Sequence, residues 1–213
     1  MTTHFVIPYK NRLDCLFELI NKFPDFINES PYIEDNVSVT IVEPDTDEPF
    51  NLGFCINAGF KLIEKSTKDD DVFWFHPADC IPIQFDTRIT KGEIVFSAKG
   101  KAIGMRVADF KKINGFSIKQ YGYGCEDHEI SARAKLHGVT RYNDNSSKFE
   151  YLNSSQKSGY KNMRNYAKNS KLIQKRFTKK SCKEDGLSNT RFESIDCFDV
   201  SCGIIYNKII PLK

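Results

Sequence analysis

Three short stretches of the chain combine residue types that can do chemistry. "YGYGCEDHE" (121–129) places three acids and a histidine directly after two tyrosines interleaved with two glycines. Glycine gives a backbone that can hinge, and tyrosine offers a flat face to the C–H surface of a sugar. A carboxylate can hydrogen-bond or deprotonate a sugar hydroxyl. A flexible aromatic lid of this kind, carrying Tyr123 and Gly124 ahead of the pair Glu126 and Asp127, suits a site that closes over a sugar. Acids are also favoured in the first turn of a helix by its dipole. That plainer reading explains the acids but not the Tyr-Gly-Tyr-Gly run.

The second stretch is "PYKNR" (8–12). Lys10 and Arg12 fall at the start of a predicted helix, where the dipole disfavours cations and unpaired N–H groups favour an anion. A bound phosphate accounts for both residues, and so does a surface pair offset by Asp14. The third is "DVFWFHPADC" (71–80), in which Asp79 ends an apolar strand. A carboxylate there can hold a hard divalent cation against a diphosphate. It also reads as a turn-forming Asp after a Pro. His76 reads as a strand-end histidine rather than a ligand.

The elements that must position these residues alternate. "HFVIPY" (4–9) is a strand, and "KNRLDCLFELINKF" (10–23) is a helix with Leu13, Leu16, Phe17, Ile20 and Phe23 on one face. "NVSVTIVE" is a second strand, residues 51–66 a second helix, and "DDDVFWFH" a buried third strand. Beyond them come two short strands around Lys99 and Gly100, a short helix stopped at Gly115, and a helix over 127–137. A further helix over 158–177 and two terminal strands close the chain. Strands alternating with helices predict an α/β domain with a mixed, mostly parallel sheet flanked by helices. In such sheets ligands bind beyond the carboxyl ends of the strands, where all three stretches would converge.

The chain has 213 residues and a formal net charge of +3, enough length for one domain with a real core and too little charge to argue for nucleic acid. No leader or bilayer-spanning run is read in it. Its seven cysteines are scattered without a CxxC pair, which predicts free thiols in a reducing compartment. The expectation is a cytoplasmic monomer with no membrane or nucleic-acid partner.

Four blocks, taken in order, resemble the β-1,4-galactosyltransferases and related inverting glycosyltransferases of the GT-A fold. They are "FVIPYKNR", "FNLGFCINAGF" (50–60), "DVFWFHPAD" and "INGFSIKQYGYGCEDHEISARAKLHG" (113–138), with a weaker echo in "EDGLSNTRFESID" (184–196). The resemblance implies a GT-A nucleotide-sugar fold over 1–213, with a nucleotide-binding half (1–80) and an acceptor and catalytic half (81–213). It implies a UDP-sugar donor, a glycan or glycoprotein acceptor, and Mn²⁺ or another divalent cation. Pro8, Lys10, Arg12, Phe50, Asn51 and Ala78 fall where the family holds the nucleotide sugar. Asp79 matches the last Asp of its metal motif, Tyr123 its mobile-loop Trp, with Gly124 beside it, and Glu126 and Asp127 its Glu-Asp pair, Asp127 as general base. Three departures stand out. The family's phosphate-binding Arg is Leu52, the first Asp of the metal motif is Pro77, and the Met and His ligands expected near "KFEYLN" (148–153) do not occur. The small residue Ala98 aligns where a bulkier one crowds the sugar's 2-substituent, so a 2-N-acetyl group should be tolerated. The chain also resembles small chlorella-virus glycosyltransferase domains that decorate capsid protein, which implies a capsid-glycan acceptor and the host cytoplasm.

A rival reading rests on Lys157, Lys161, Arg164, Lys168, Lys171 and Lys175, which recur at helical spacing. Such a stripe is a solvated helix face, an acceptor-binding surface, or the contact face of a module that binds nucleic acid or another anionic polymer.

Overall fold

The computed structural model describes residues 1–31, 33, 36–122, 124–152, 163–174, 178–201 and 203–212. The first half runs β1 (Thr2–Pro8), α1 (Leu13–Glu29), β2 (Asn36–Pro44), α2 (Leu52–Ile63), β3 (Val72–Phe75), β4 (Cys80–Gln84), β5 (Glu93–Ser97) and β6 (Ala102–Arg106). The second runs α3 (Val107–Lys112), α4 (Glu126–Leu136), β7 (Thr140–Asn143), β8 (Lys148–Tyr151), α5 (Met163–Gln174), α6 (Lys179–Lys183), β9 (Phe192–Ser201) and β10 (Ile204–Pro211).

Eight strands form one sheet in the order β7-β5-β6-β3-β1-β2-β10-β9. Its centre, β3-β1-β2-β10, is parallel, while β6 pairs antiparallel with β3 and with β5. The centre is covered on both faces, which is why its strands read as unbroken apolar runs. Along β1, Phe5 and Ile7 pack with Leu16, Leu19 and Phe23 of α1, while Val6 packs with the α2 side. A Cβ on Gly59 would run into Val6 and Val42, so glycine there lets α2 lie directly on β1 and β2. The parallel pairing puts the carboxyl ends of β1, β2 and β3 on one edge. Among the described residues no helix is long and apolar enough to cross a membrane.

Two expectations need correction. Helix α1 does not bury the face read from its spacing: Leu13 and Phe17 are 62% and 63% exposed, and Cys15, Leu16, Leu19, Phe23 and Phe26 are buried. The helix continues through Pro24 to Glu29. Phe23 then meets Phe5 edge-on and Phe26 stacks on Phe85, and these contacts set the rotation. The second correction is a missed two-stranded sheet, β4 with β8. Both runs are short, five and four residues, and β4 carries Pro82, which weakens a strand signal in sequence.

Phe5, Phe23, Phe85 and Phe149 surround the fully buried His76. Its Nε2 lies 2.7 Å from the Cys80 carbonyl, which can only accept, so Nε2 carries the proton. Nδ1 has no partner among the described residues, and a second proton there would be stranded. Burial therefore pushes the imidazole pKa down to about 4. The unfolded chain, with a histidine near 6.5, binds this proton first. Stability from this group is complete above about pH 6.5 and is lost as pH falls toward 4, by on the order of 3 kcal/mol. NMR titration of the His76 ring should show it neutral throughout pH 5–7 in the folded protein; a midpoint near 6.5 would contradict the assignment.

Candidate active site

The loop after β1 carries Lys10 and Arg12, with Asn11 in the left-handed region at φ 53°. This kink sends the two cations to different places. Lys10 Nζ donates to the Thr46 and Glu48 carbonyls at 2.5 and 2.8 Å, tying the loop after β2 to the end of β1. Arg12 reaches Asp79 instead, its Nη1 2.7 Å from Oδ2. The other carboxylate oxygen, Oδ1, faces Lys101 Nζ at 3.6 Å. Asp79 sits just past β3, as expected from the sequence, with Ala78 buried beside it. Pro8 is buried at the end of β1.

Phe50 and Asn51 lie at the start of α2. Asn51 caps that helix, its side-chain oxygen accepting from Phe54 N–H at 2.9 Å. Its amide donates to the Ile118 carbonyl at 2.7 Å. One residue thus orients α2 and anchors the segment leading to the acids. The Phe50 carbonyl accepts from Gly122 N–H at 2.7 Å, which ties Gly122 to the start of α2.

That segment needs glycine for steric reasons as well as for any mobility. Gly122 and Gly124 have φ of 73° and 105°, and a Cβ on either would strike Asn165 or Tyr166 of α5. Asn169 of α5 donates to the Tyr121 and Gly124 carbonyls at 3.3 and 3.1 Å. Tyr123 lies outside the described residues.

The three acids of α4 have different fates. Glu129 is buried with Arg133, which contacts it through Nε and Nη2 at 2.9 and 2.7 Å. Burial pushes the Glu129 pKa up and Arg133 pulls it back. Glu126 turns back to accept from Gly124 N–H at 3.2 Å. Asp127 points outward, its side chain 41% exposed and 3.8 Å from His128 Nε2. A plain helix-start reading treats the three acids alike; the structure separates them.

Among the described residues no group of three or more His, Cys, Asp or Glu side chains could enclose a metal ion. Asp79 fits a narrower role. Small divalent cations are often held by one or two carboxylates with substrate phosphates completing the shell. Asp79 supplies one carboxylate of such a set, and Arg12 and Lys101, which now face its two oxygens, would have to turn away for a cation to bind there.

Lys101 is the residue that sequence reading missed. It and Lys99 flank Gly100 in the turn between β5 and β6, where Ala98 is 4% exposed. Both ammonium groups lie over the Tyr151 ring, at 5.4 Å for Lys99 and 4.9 Å for Lys101. Two lysines around a turn glycine were the available signal, but only the fold brings them to Asp79. Of the basic stripe, Lys168 and Lys171 are exposed on α5, while Lys157, Lys161 and Lys175 lie outside the described residues, and so does the side chain of Arg164. Cys15, Cys55, Cys80, Cys125, Cys182 and Cys197 are free thiols.

Residues 98–163 match a family model described as the N-terminal domain of galactosyltransferase. A Lymnaea stagnalis β-N-acetyl-D-glucosaminide β-1,4-N-acetylglucosaminyltransferase is 30% identical over 150 residues, 62% of this chain and 30% of that protein. Human β-1,4-galactosyltransferase 6 is 29% identical over 157 residues, 64% of this chain and 39% of that one. The catalytic domain of Drosophila β-1,4-galactosyltransferase 7, solved with xylobiose, superposes with a TM-score of 0.77 at 16% identity, covering 100% of this chain and 94% of that one. The chain is galactosyltransferase-like in sequence and GT-A in fold.

This galactosyltransferase-like chain spans about a third of the length of the relatives matched by sequence, 30% of the snail protein and 39% of the human one. A second structure of the Drosophila protein, with manganese, UDP-Gal and xylobiose, gives a TM-score of 0.76 at 15% identity, again covering 100% of this chain and 94% of that one. The family-model match, residues 98–163, includes Asp127. The match to solved structures extends the shared architecture over the rest.

Proposed function

We propose that the chain transfers a hexose from a UDP-sugar to a hydroxyl of a glycan or glycoprotein, with inversion at the anomeric carbon. One observation carries this reading: of the three acids that open α4, Glu129 pairs with Arg133 and Glu126 accepts from Gly124 N–H, while Asp127, 41% exposed, meets only His128 among the described residues, at 3.8 Å. The sequence relatives support it, since both are named as sugar transferases.

In this mechanism Asp127 accepts the proton of the acceptor hydroxyl as that oxygen attacks the anomeric carbon. The bond from that carbon to the diphosphate oxygen breaks on the opposite face, and UDP leaves with the electron pair. Glu126 holds the turn that presents Asp127. The segment 121–124 covers the sugar and excludes water that would hydrolyse the donor. Asp79 would hold a divalent cation, which when bound offsets negative charge on the diphosphate. The residues 1–80 serve mainly the nucleotide and 81–213 the acceptor.

A panel of UDP-sugars, assayed for hydrolysis and transfer with Mn²⁺ and with chelator, tests the proposal. Asp79→Ala should abolish the Mn²⁺-dependent part of UDP binding in calorimetry. UDP binding in chelator should hold or rise, because Arg12 and Lys101 lose their carboxylate partner. The melting temperature should barely move, since partly exposed ion pairs contribute about 1 kcal/mol or less. Unchanged Mn²⁺-dependent binding would remove Asp79 from this role.

A further inference from the structure

We infer that the groove between α4 and β7 binds an acidic stretch of the glycan acceptor, holding a sugar carboxylate between Lys135 and Arg141. The inference rests on the transferase reading above and deepens it by giving the acceptor a charge.

A groove of about 560 Å³ runs between α4 and the start of β7. His128, Ser131, Ala132 and Lys135 line one wall, at the three- and four-residue spacing that puts side chains on one helix face. Thr140 and Arg141 line the other, and no acid lines either. Among the described residues neither Lys135 nor Arg141 has a carboxylate within ion-pair distance. Glu93, opposite Thr140 in the β5–β7 register, pairs with neither. The groove therefore holds two unpaired cations, and the hydroxyls of Ser131 and Thr140 add neutral donors.

Arg141 is fixed in place before any ligand arrives. Its guanidinium carbon lies 4.0 Å from the centre of the buried Phe96 ring. Its Nε donates to Asn143 Oδ1 at 3.0 Å, and its Nη1 reaches Ser131 Oγ across the groove at 3.4 Å. Nη2 has no partner among the described residues. A guanidinium stacked by its face still offers its edge, and that planar fork matches a carboxylate. Having little freedom left, it has little to lose on binding. The position of the groove selects the ligand. His128 follows Asp127 directly in α4, and Lys135 lies about two turns further along, roughly 10 Å by the helix rise. An acceptor whose hydroxyl meets Asp127 can lay its next residues along α4 and bring a carboxylate to Lys135 and Arg141. A carboxylate on the accepting residue itself would meet Asp127 and be repelled.

Calorimetry on the full chain tests this with short oligouronides of galacturonic, mannuronic and glucuronic acid, each beside its neutral methyl ester. At least one oligouronide should bind, with its ester roughly tenfold weaker or more. Arg141→Met and Lys135→Met should each weaken the acid form roughly three- to tenfold, the range for a charge-assisted contact partly screened by solvent, and leave UDP binding unchanged. Arg141→Lys should restore part of the loss, because the charge returns without the planar fork. Lys171→Met, exposed on α5, should change nothing. Melting temperatures confirm that each variant is folded. Acid and ester bound alike, neither bound at all, or Lys171→Met losing as much as Arg141→Met overturns this inference alone, provided that the wild-type protein binds UDP. A wild-type protein that binds no UDP overturns the transferase reading and this inference with it.

Discussion

Asp127→Asn is expected to lower the transfer rate by roughly two to four orders of magnitude, the range for loss of a general base. The amide keeps the size and most of the hydrogen bonding of the carboxylate but cannot take the acceptor's proton. Affinity for UDP should stay the same, because Asp127 is on α4 and the proposed diphosphate contacts come from Arg12 and Asp79. The fold should also hold. Asp127 is 41% exposed, and its favourable position at the helix start is worth about 1 kcal/mol or less. Transfer rate and melting temperature measured on this one variant separate two meanings of the acid cluster. A stable, inactive protein supports the base, whereas an active and destabilised one makes the residue part of a helix start.

Removing Arg133 should do the reverse, damaging the fold before the chemistry. Its side chain is 1% exposed and contacts Glu129 through two nitrogens. Its Nη1 also donates to the Asp185 and Cys182 carbonyls at 2.8 and 3.2 Å. One guanidinium thus joins α4 to the turn after α6. Arg133→Met leaves a buried carboxylate without its cation and takes a donor from the Asp185 carbonyl, while the Cys182 carbonyl keeps the Asn114 amide. Breaking a buried pair from one side costs about 3–5 kcal/mol. For a chain of this size that lowers the melting temperature by roughly 10 °C. The double variant Glu129→Leu/Arg133→Met should recover part of the loss, because no lone charge is left behind. A single variant that melts with the wild type would show that the pair carries no structural load.

Much of the architecture was legible because the signals were local. The apolar run "HFVIPY" made β1, and "VFWF" made β3, since a strand buried on both faces needs no polar alternation. Gly115, with φ 60°, ends the helix before it as expected, and Gly138, with φ 70°, follows α4. Motif order pointed to the strand edge that gathers Arg12 and Asp79, because parallel strands put all their carboxyl ends on one side. The helix α1 shows the limit. Its spacing was read as burying Leu13 and Phe17 with Phe23, and Phe5 and Phe85 on other elements turned the buried face to Phe23 and Phe26.

What tertiary structure alone decided are the partnerships between residues far apart in the chain. Lys10 and Arg12 look like a matched pair in sequence, yet one ties down the loop at Thr46 and Glu48 and the other meets Asp79. Glu126, Asp127 and Glu129 look like one acidic cluster, yet one is buried on Arg133, one turns back on Gly124 and one faces outward. Lys101 had no marked place in the sequence and acquires one from the pairing of β5, β6 and β3. Residue type and local spacing determine which strands and helices form, because those depend on neighbours within a few residues. The charge and role of an ionisable side chain depend on what is packed within a few ångströms of it, and that is set only once the sheet has closed.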